Sequence, residues 1–383
     1  MTSQKDDTPR LLASTDPSSY PPTTILNSHK VPNSFRPLHL SADGTTIVTT
    51  SEDAHIRTFV LPPDLLASPT LLDLTPYTTS PKTPTHTICL APYFSLSHAS
   101  TTHLLVSRPD LPLRLTNALD YTHTHASYPL IHGPTERYLT PHSLVFSPDG
   151  TGFVAGHKQA LSFFEVVRDG EGPVATISTA GAGMGVRGLV MAMDICAKSG
   201  VLAVGSSGGQ VGVYEAGGRG GEVLVFEAEE GEGAKGRGVV QVKWVRGGRY
   251  LLVGQRGSDG IGVYDVRRGR RACWLKGRRA GLMMRMGFDV VESEEGVDVW
   301  AGGTDGAVRV WKDVTSREGT TEADVQWKAH GDVVSSVIVH PTGSVAITSS
   351  GSRKDVREDD EEEDGSGLHD TPESDVSINV WAL

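Results

Sequence analysis

The densest chemistry-bearing run in the sequence is basic. Arg267, Arg268, Arg270, Arg271, Lys276, Arg278 and Arg279 follow one another closely, flanked by Arg256 and Arg285, with Trp274 among them. Guanidinium groups attract phosphate through a rigid fork of donors and stack on unpaired bases, and an indole offers a further stacking plane. The run therefore reads as a candidate RNA-binding surface. It reads as well as a solvated loop with Trp274 packed between sheets. Trp244 lies in an alternating apolar run and is expected in a core.

Other chemistry is thin. His123, His125 and His132 cluster, but no cysteine or carboxylate joins them at ligand spacing, so no metal is expected. His142 and His330 are expected to hydrogen-bond within the fold. Gly181-Ala182-Gly183-Met184-Gly185 resembles a phosphate loop, yet it leads into a strand-like run and lacks the helix N-terminus that holds pyrophosphate. No nucleophile with an identifiable base is found. The expectation is a non-catalytic protein without cofactor. Cys89, Cys196 and Cys273 are too few and too far apart for a disulfide framework and read as small buried hydrophobes.

These residues sit in a chain of 383 residues with a net charge of −11, spread unevenly. Lys235 to Arg285 holds fourteen bases against Asp259 and Asp265, whereas Arg353 to Asp375 holds eleven acids against three bases. The acidic tract reads as a disordered insertion at 353–375. Residues 1–30 are rich in Thr, Ser, Pro and charge and are expected to form a disordered lead. No apolar window long enough for a spanning helix occurs, and no apolar run follows the polar N-terminus, so neither membrane insertion nor a secretory signal is expected.

What must position the basic run is a repeat. An alternating apolar run meets a turn, then a small-residue strand, a second short turn, and a strand that usually ends in an aromatic. Val201-Leu202-Ala203-Val204-Gly205 leads to Val211-Gly212-Val213-Tyr214, Tyr250-Leu251-Leu252-Val253-Gly254 to Ile261-Gly262-Val263-Tyr264, and Val299-Trp300-Ala301-Gly302-Gly303 to Val308-Arg309-Val310-Trp311. The closing residues are Phe59, Thr116, Phe164, Tyr214, Tyr264, Trp311 and Trp381. Their spacing is about 50 residues except the last, which the acidic tract lengthens. One such unit cannot bury both faces of its sheet, so the units must stack around an axis. The prediction is an all-β, seven-bladed propeller over 31–383.

The turns and aromatic closers resemble WD40 repeats, although no repeat ends in Trp-Asp. A narrower resemblance is to the telomerase Cajal body protein family and its fungal spliceosome-associated relatives. It is carried by Ser51-Glu52-Asp53-Ala54-His55-Ile56-Arg57, by Ser107-Arg108-Pro109-Asp110-Leu111-Pro112-Leu113-Arg114-Leu115, by Glu136-Arg137-Tyr138-Leu139-Thr140-Pro141-His142 running to Ser147-Pro148-Asp149-Gly150, and by the split last repeat. It implies a nuclear, monomeric propeller within a larger complex, binding small nuclear or Cajal-body-type RNA and assisting ribonucleoprotein assembly in splicing or telomerase RNA biogenesis. A protein-interaction scaffold without direct RNA contact is the competing expectation.

Overall fold

The computed structural model describes residues 9–24, 30–181, 185–229, 231, 238–282, 284–352 and 375–383. Its regular structure is strands joined by turns and short 3-10 segments. Among the described residues, seven sheets follow one another along the chain, each with four antiparallel strands, here lettered A to D from the axis outward; in blade 7 the fourth strand comes from the other end of the chain, and blades 5 and 7 carry a short parallel strand on their outer edge. Blade 1 begins at His39–Leu40, blade 2 at Thr87–Leu90, blade 3 at Ser143–Phe146, blade 4 at Val190–Ile195, blade 5 at Val239–Val245, blade 6 at Phe288–Glu292 and blade 7 at Val334–Val339. The residues that closed each repeat in the sequence all fall on strand C, so the predicted seven-bladed all-β propeller is what forms.

The small residue at the end of strand B has a packing reason. A side chain on Gly205 would stand 2.3 Å from Val239 Cγ1, and one on Gly156 would stand 2.4 Å from Val190 Cγ1. In each case the neighbour is the first residue of the next blade's inner strand, so blades stack closely only where that position lacks a Cβ. Polar side chains then stitch the inner strands together. The Gln241 amide donates to Phe288 O at 2.7 Å and accepts from Phe288 N at 2.9 Å, joining blades 5 and 6. Asp194 accepts from Trp244 N at 2.7 Å and Asp289 from Val339 N at 2.9 Å.

The predicted lead requires correction. Arg10–Ser14 is a strand, and it pairs antiparallel with Ile378–Ala382 as strand D of blade 7. Leu12 and Ala13 are buried in the core shared by blades 7 and 1, and Leu72–Asp73 pairs in parallel along the strand's other edge. The ring is thus closed by the two ends of the described chain. Composition misled because the strand is only five residues long in polar surroundings, and its partner lies more than 360 positions away. Residues 1–8 and 25–29 of that lead, and 353–374 of the acidic tract, lie outside the described residues.

Blade 7 also holds a polar chain. His330 Nε2 meets Thr348 Oγ1 at 2.7 Å, Trp381 Nε1 donates to the same hydroxyl at 2.9 Å, and His330 Nδ1 lies 3.4 Å from Asp375. Hydrogen bonds from His330 and Ser377 outweigh the opposing effect of burial and hold the Asp375 carboxyl well below the usual carboxylate range. His330 therefore hydrogen-bonds within a blade, as its sequence context suggested.

Candidate nucleic-acid interface

Strand D of blade 5 runs from Arg270 to Lys276 and divides the basic run. Seven extended residues cover about 20 Å. Arg267 and Arg268 stand on the C–D turn at one end of the blade, and Arg278, Arg279 and Arg285 lie in the connection to blade 6 at the other. Arg256 is in the B–C turn, at that second end. The expected single arginine-bearing rim is therefore two separate clusters, because a fourth strand intervenes where the sequence suggested one connection.

Several members are also engaged. Trp274 is 2% exposed in strand D, with the Arg271 guanidinium 5.2 Å from its ring centroid, so its face is closed to a base. Arg271 pairs with Glu229 at 3.3 Å, and Arg279 with Asp305 at 3.4 Å. Arg278 is 1% exposed and donates through Nη2 to Met286 O and Gly287 O at 2.7 and 2.9 Å, bracing the loop ahead of blade 6. Burial without a carboxylate lowers its pKa to about 10. Trp274 and Arg278 thus leave the candidate surface, and Lys276 is half-buried on the outer strand.

The first end of blade 5 gains residues that the sequence reading passed over. The A–B turn brings Arg246 and Arg249 beside the C–D turn, where Arg246, Arg249 and Arg267 share a shallow hollow with Tyr250, Thr315 and Ser316. Arg267, Arg268 and Arg270 are exposed. Asp265 caps this turn by accepting from the backbone N–H of Arg267 and Arg268 at 3.1 and 3.3 Å. Its carboxylate is 3% exposed and lies 3.7 Å from Arg249 and 3.8 Å from Arg268, with Glu318 also 3.8 Å from Arg268. Such long, half-solvated pairs leave guanidinium N–H edges able to take another anion, with the Arg249 guanidinium held 5.0 Å over the Tyr250 ring.

At the other end lies the mouth of the axial channel. The inner strands enclose a cavity of about 1430 Å³. Arg36, His86 and His142 sit just ahead of strand A in blades 1, 2 and 3, and with Arg256 and Arg285 they line this channel. The His86 and His142 rings meet edge to face at 4.9 Å. Burial lowers the proton affinity of both imidazoles; Arg36 and Arg285 add to this at His86, and His86 and Arg285 add to it at His142. Deeper in the channel Lys243 faces Asp194 and Asp289; burial works against its charge, but the two carboxylates outweigh it and hold the ammonium charged. Arg36, His86 and His142 carry no local motif and are spread over more than one hundred residues. Only their common place, at the entry to an inner strand, could have linked them.

The histidines considered for metal do not gather around one point. His123 meets Asp120 at 2.8 Å, His125 packs on the His103 ring, and His132 meets Thr135 at 2.8 Å. The glycine run before blade 4 falls partly outside the described residues.

No family model matches the chain. Over 292 residues it is 29% identical to "Guanine nucleotide-binding protein negative regulator 1" of Schizosaccharomyces pombe, covering 73% of this chain and 71% of that protein. Over 316 residues it is 24% identical to "Telomerase Cajal body protein 1" of Homo sapiens, covering 81% of this chain and 56% of the relative. The protein of that name from Mus musculus is 24% identical over 317 residues, with 81% and 57% covered. The chain thus spans a little over half the length of these mammalian relatives. With seven four-stranded blades closed into a ring, these likenesses make the chain a WD40-type β-propeller related to the telomerase Cajal body proteins.

Proposed function

We propose that this propeller is a non-catalytic nuclear scaffold that binds small nuclear or Cajal-body-type RNA and assists ribonucleoprotein assembly, in pre-mRNA splicing or telomerase RNA biogenesis. The observation that carries the reading is the gathering of Arg246, Arg249, Arg267, Arg268 and Arg270 at one end of blade 5. Exposed arginines on adjoining turns suit the irregular phosphate path of a folded RNA, where contacts to the backbone supply affinity without reading bases. The relatives named telomerase Cajal body protein, at 24% identity, support the class of RNA.

The test is RNA binding by the purified chain across a salt series, with the Arg267→Gln/Arg268→Gln/Arg270→Gln variant alongside. For every phosphate the variant no longer neutralises, the slope of log K against log salt should fall by about 0.7 in single-stranded regions. Unchanged affinity and slope in the variant would remove this surface from the RNA reading. Crosslinking and sequencing of RNA bound in cells identifies the client.

A second reading is a protein-interaction scaffold without direct RNA contact. It is favoured by the relative named as a negative regulator of a guanine nucleotide-binding protein. Stoichiometric protein partners, with no RNA retained under nuclease-free purification, would support it instead.

A further inference from the structure

Among the described residues, the channel mouth carries charge that its surroundings do not neutralise. Arg36, Arg256 and Arg285 reach it from blade 1, blade 5 and the connection to blade 6. Arg36 is paired with Glu52 at 3.2 Å. Among the described residues no carboxylate pairs with Arg256 or Arg285; the latter donates to Met191 O, a neutral carbonyl. Burial lowers the Arg285 pKa to about 10, with Arg256 and Arg36 adding to the effect, so the three guanidiniums repel one another. Among the described residues at the mouth, three guanidiniums face the single carboxylate of Glu52, and burial disfavours a charge on the two imidazoles.

We propose that this mouth is a binding site for a phosphate-bearing ligand with at least two negative charges. A phosphate group entering along the axis meets guanidinium forks from three sides and imidazole N–H donors of His86 and His142 from a fourth. Each interaction is charge-assisted or directed, and the excess positive charge is relieved. The cavity behind the mouth, about 1430 Å³, has room for more than a single phosphate group. The ammonium of Lys243 lies deeper in that cavity, but Asp194 and Asp289 already balance it, so the phosphate seat is at the mouth. The site lies at the opposite end of the inner strands from the Arg267 surface and does not depend on the RNA reading.

The phosphate could come from a free polyphosphate ester or from the 5′ end of an RNA strand. The experiment is calorimetric titration of the full chain with sodium pyrophosphate at fixed ionic strength. Saturable binding with a Kd of roughly 1 mM or tighter is expected. The substitution Arg256→Gln should weaken it roughly tenfold or more, because the phosphate then has one charged hydrogen-bonding partner fewer. The Arg256 side chain makes no hydrogen bond among the described residues, so this variant should keep its fold, and its melting temperature without ligand checks that. Arg168→Gln, which alters a half-buried arginine paired with Glu171 on blade 3, is the control and should bind as the unaltered chain does. Displacement of pyrophosphate by a 5′-phosphorylated oligonucleotide but not by its 5′-hydroxyl twin assigns the source to an RNA end; displacement by neither assigns it to a free ester. No saturable binding, or equal binding by the Arg256→Gln variant, overturns the proposal. The Arg267 surface is read separately, by the salt series on RNA.

Discussion

Replacing Leu12 with Ala tests how the ring is closed. Leu12 is 2% exposed and packs in the cluster that includes Tyr20, Phe35, Ile47, Phe59, Ile378 and Val380. Strand D of blade 7 is held on one side by four backbone register pairs to strand C and on the other by Leu72–Asp73, so the site cannot collapse easily around a shortened side chain. A buried Leu→Ala change of this kind costs about 3 kcal/mol, from the forfeited transfer energy and the cavity left behind. Thr15→Val at the end of the same strand removes the hydroxyl that accepts from Ile378 N at 2.9 Å and should cost about 1–3 kcal/mol. Arg10→Ala, at an exposed position, should cost about 0.5 kcal/mol or less. Equilibrium urea unfolding reads all three as changes in midpoint at a constant slope. Leu12→Ala should also raise the tendency to associate, because weaker docking exposes the edge of Ile378–Ala382. If Leu12→Ala costs no more than Arg10→Ala, the side chain is solvated, strand D is not docked, and the closure drawn from the register is wrong.

Two further expectations concern the blades themselves. Asp53 bonds Arg57 and Ser51; these bonds outweigh burial and bring its pKa down to about 2 from an ordinary 3.8. Because the folded value is the lower one, this stability is present above about pH 4 and lost as pH falls towards 2. It amounts to about 2 kcal/mol. Asp53→Asn should flatten that acid limb and, by leaving the 8% exposed Arg57 without its carboxylate, cost about 3 kcal/mol at neutral pH; urea midpoints from pH 2 to 7 measure both. Gly205→Ala would place Cβ 2.3 Å from Val239 Cγ1 and should destabilise by about 1–3 kcal/mol, whereas Gly209→Ala, in open space but at φ +89°, should act through backbone strain alone; thermal unfolding compares the two.

The repeated unit was legible because its determinants are local. Alternation along strands recurs in each unit, Asp-Gly turns and a glycine near the end of strand B mark several of them, and every unit closes on strand C, so counting closing residues also counts blades. The arginine surface was half legible for the same reason. Arg267, Arg268 and Arg270 were visible as a run, but their separation from Arg278 depends on a strand D that the basic residues themselves disguise, since Arg270, Arg271 and Lys276 interrupt its apolar pattern. Burial of Trp274 follows from that same strand and could not be read without it.

The sequence alone determined the number and order of the sheets, because a strand's period and its turn are encoded within about ten residues. Tertiary structure decided what required closing the ring: the pairing of Arg10–Ser14 with Ile378–Ala382, and the meeting of Arg36, His86, His142, Arg256 and Arg285 around one axis. Such contacts join positions tens to hundreds of residues apart. No local pattern specifies them, and they exist only once each blade has packed on the next.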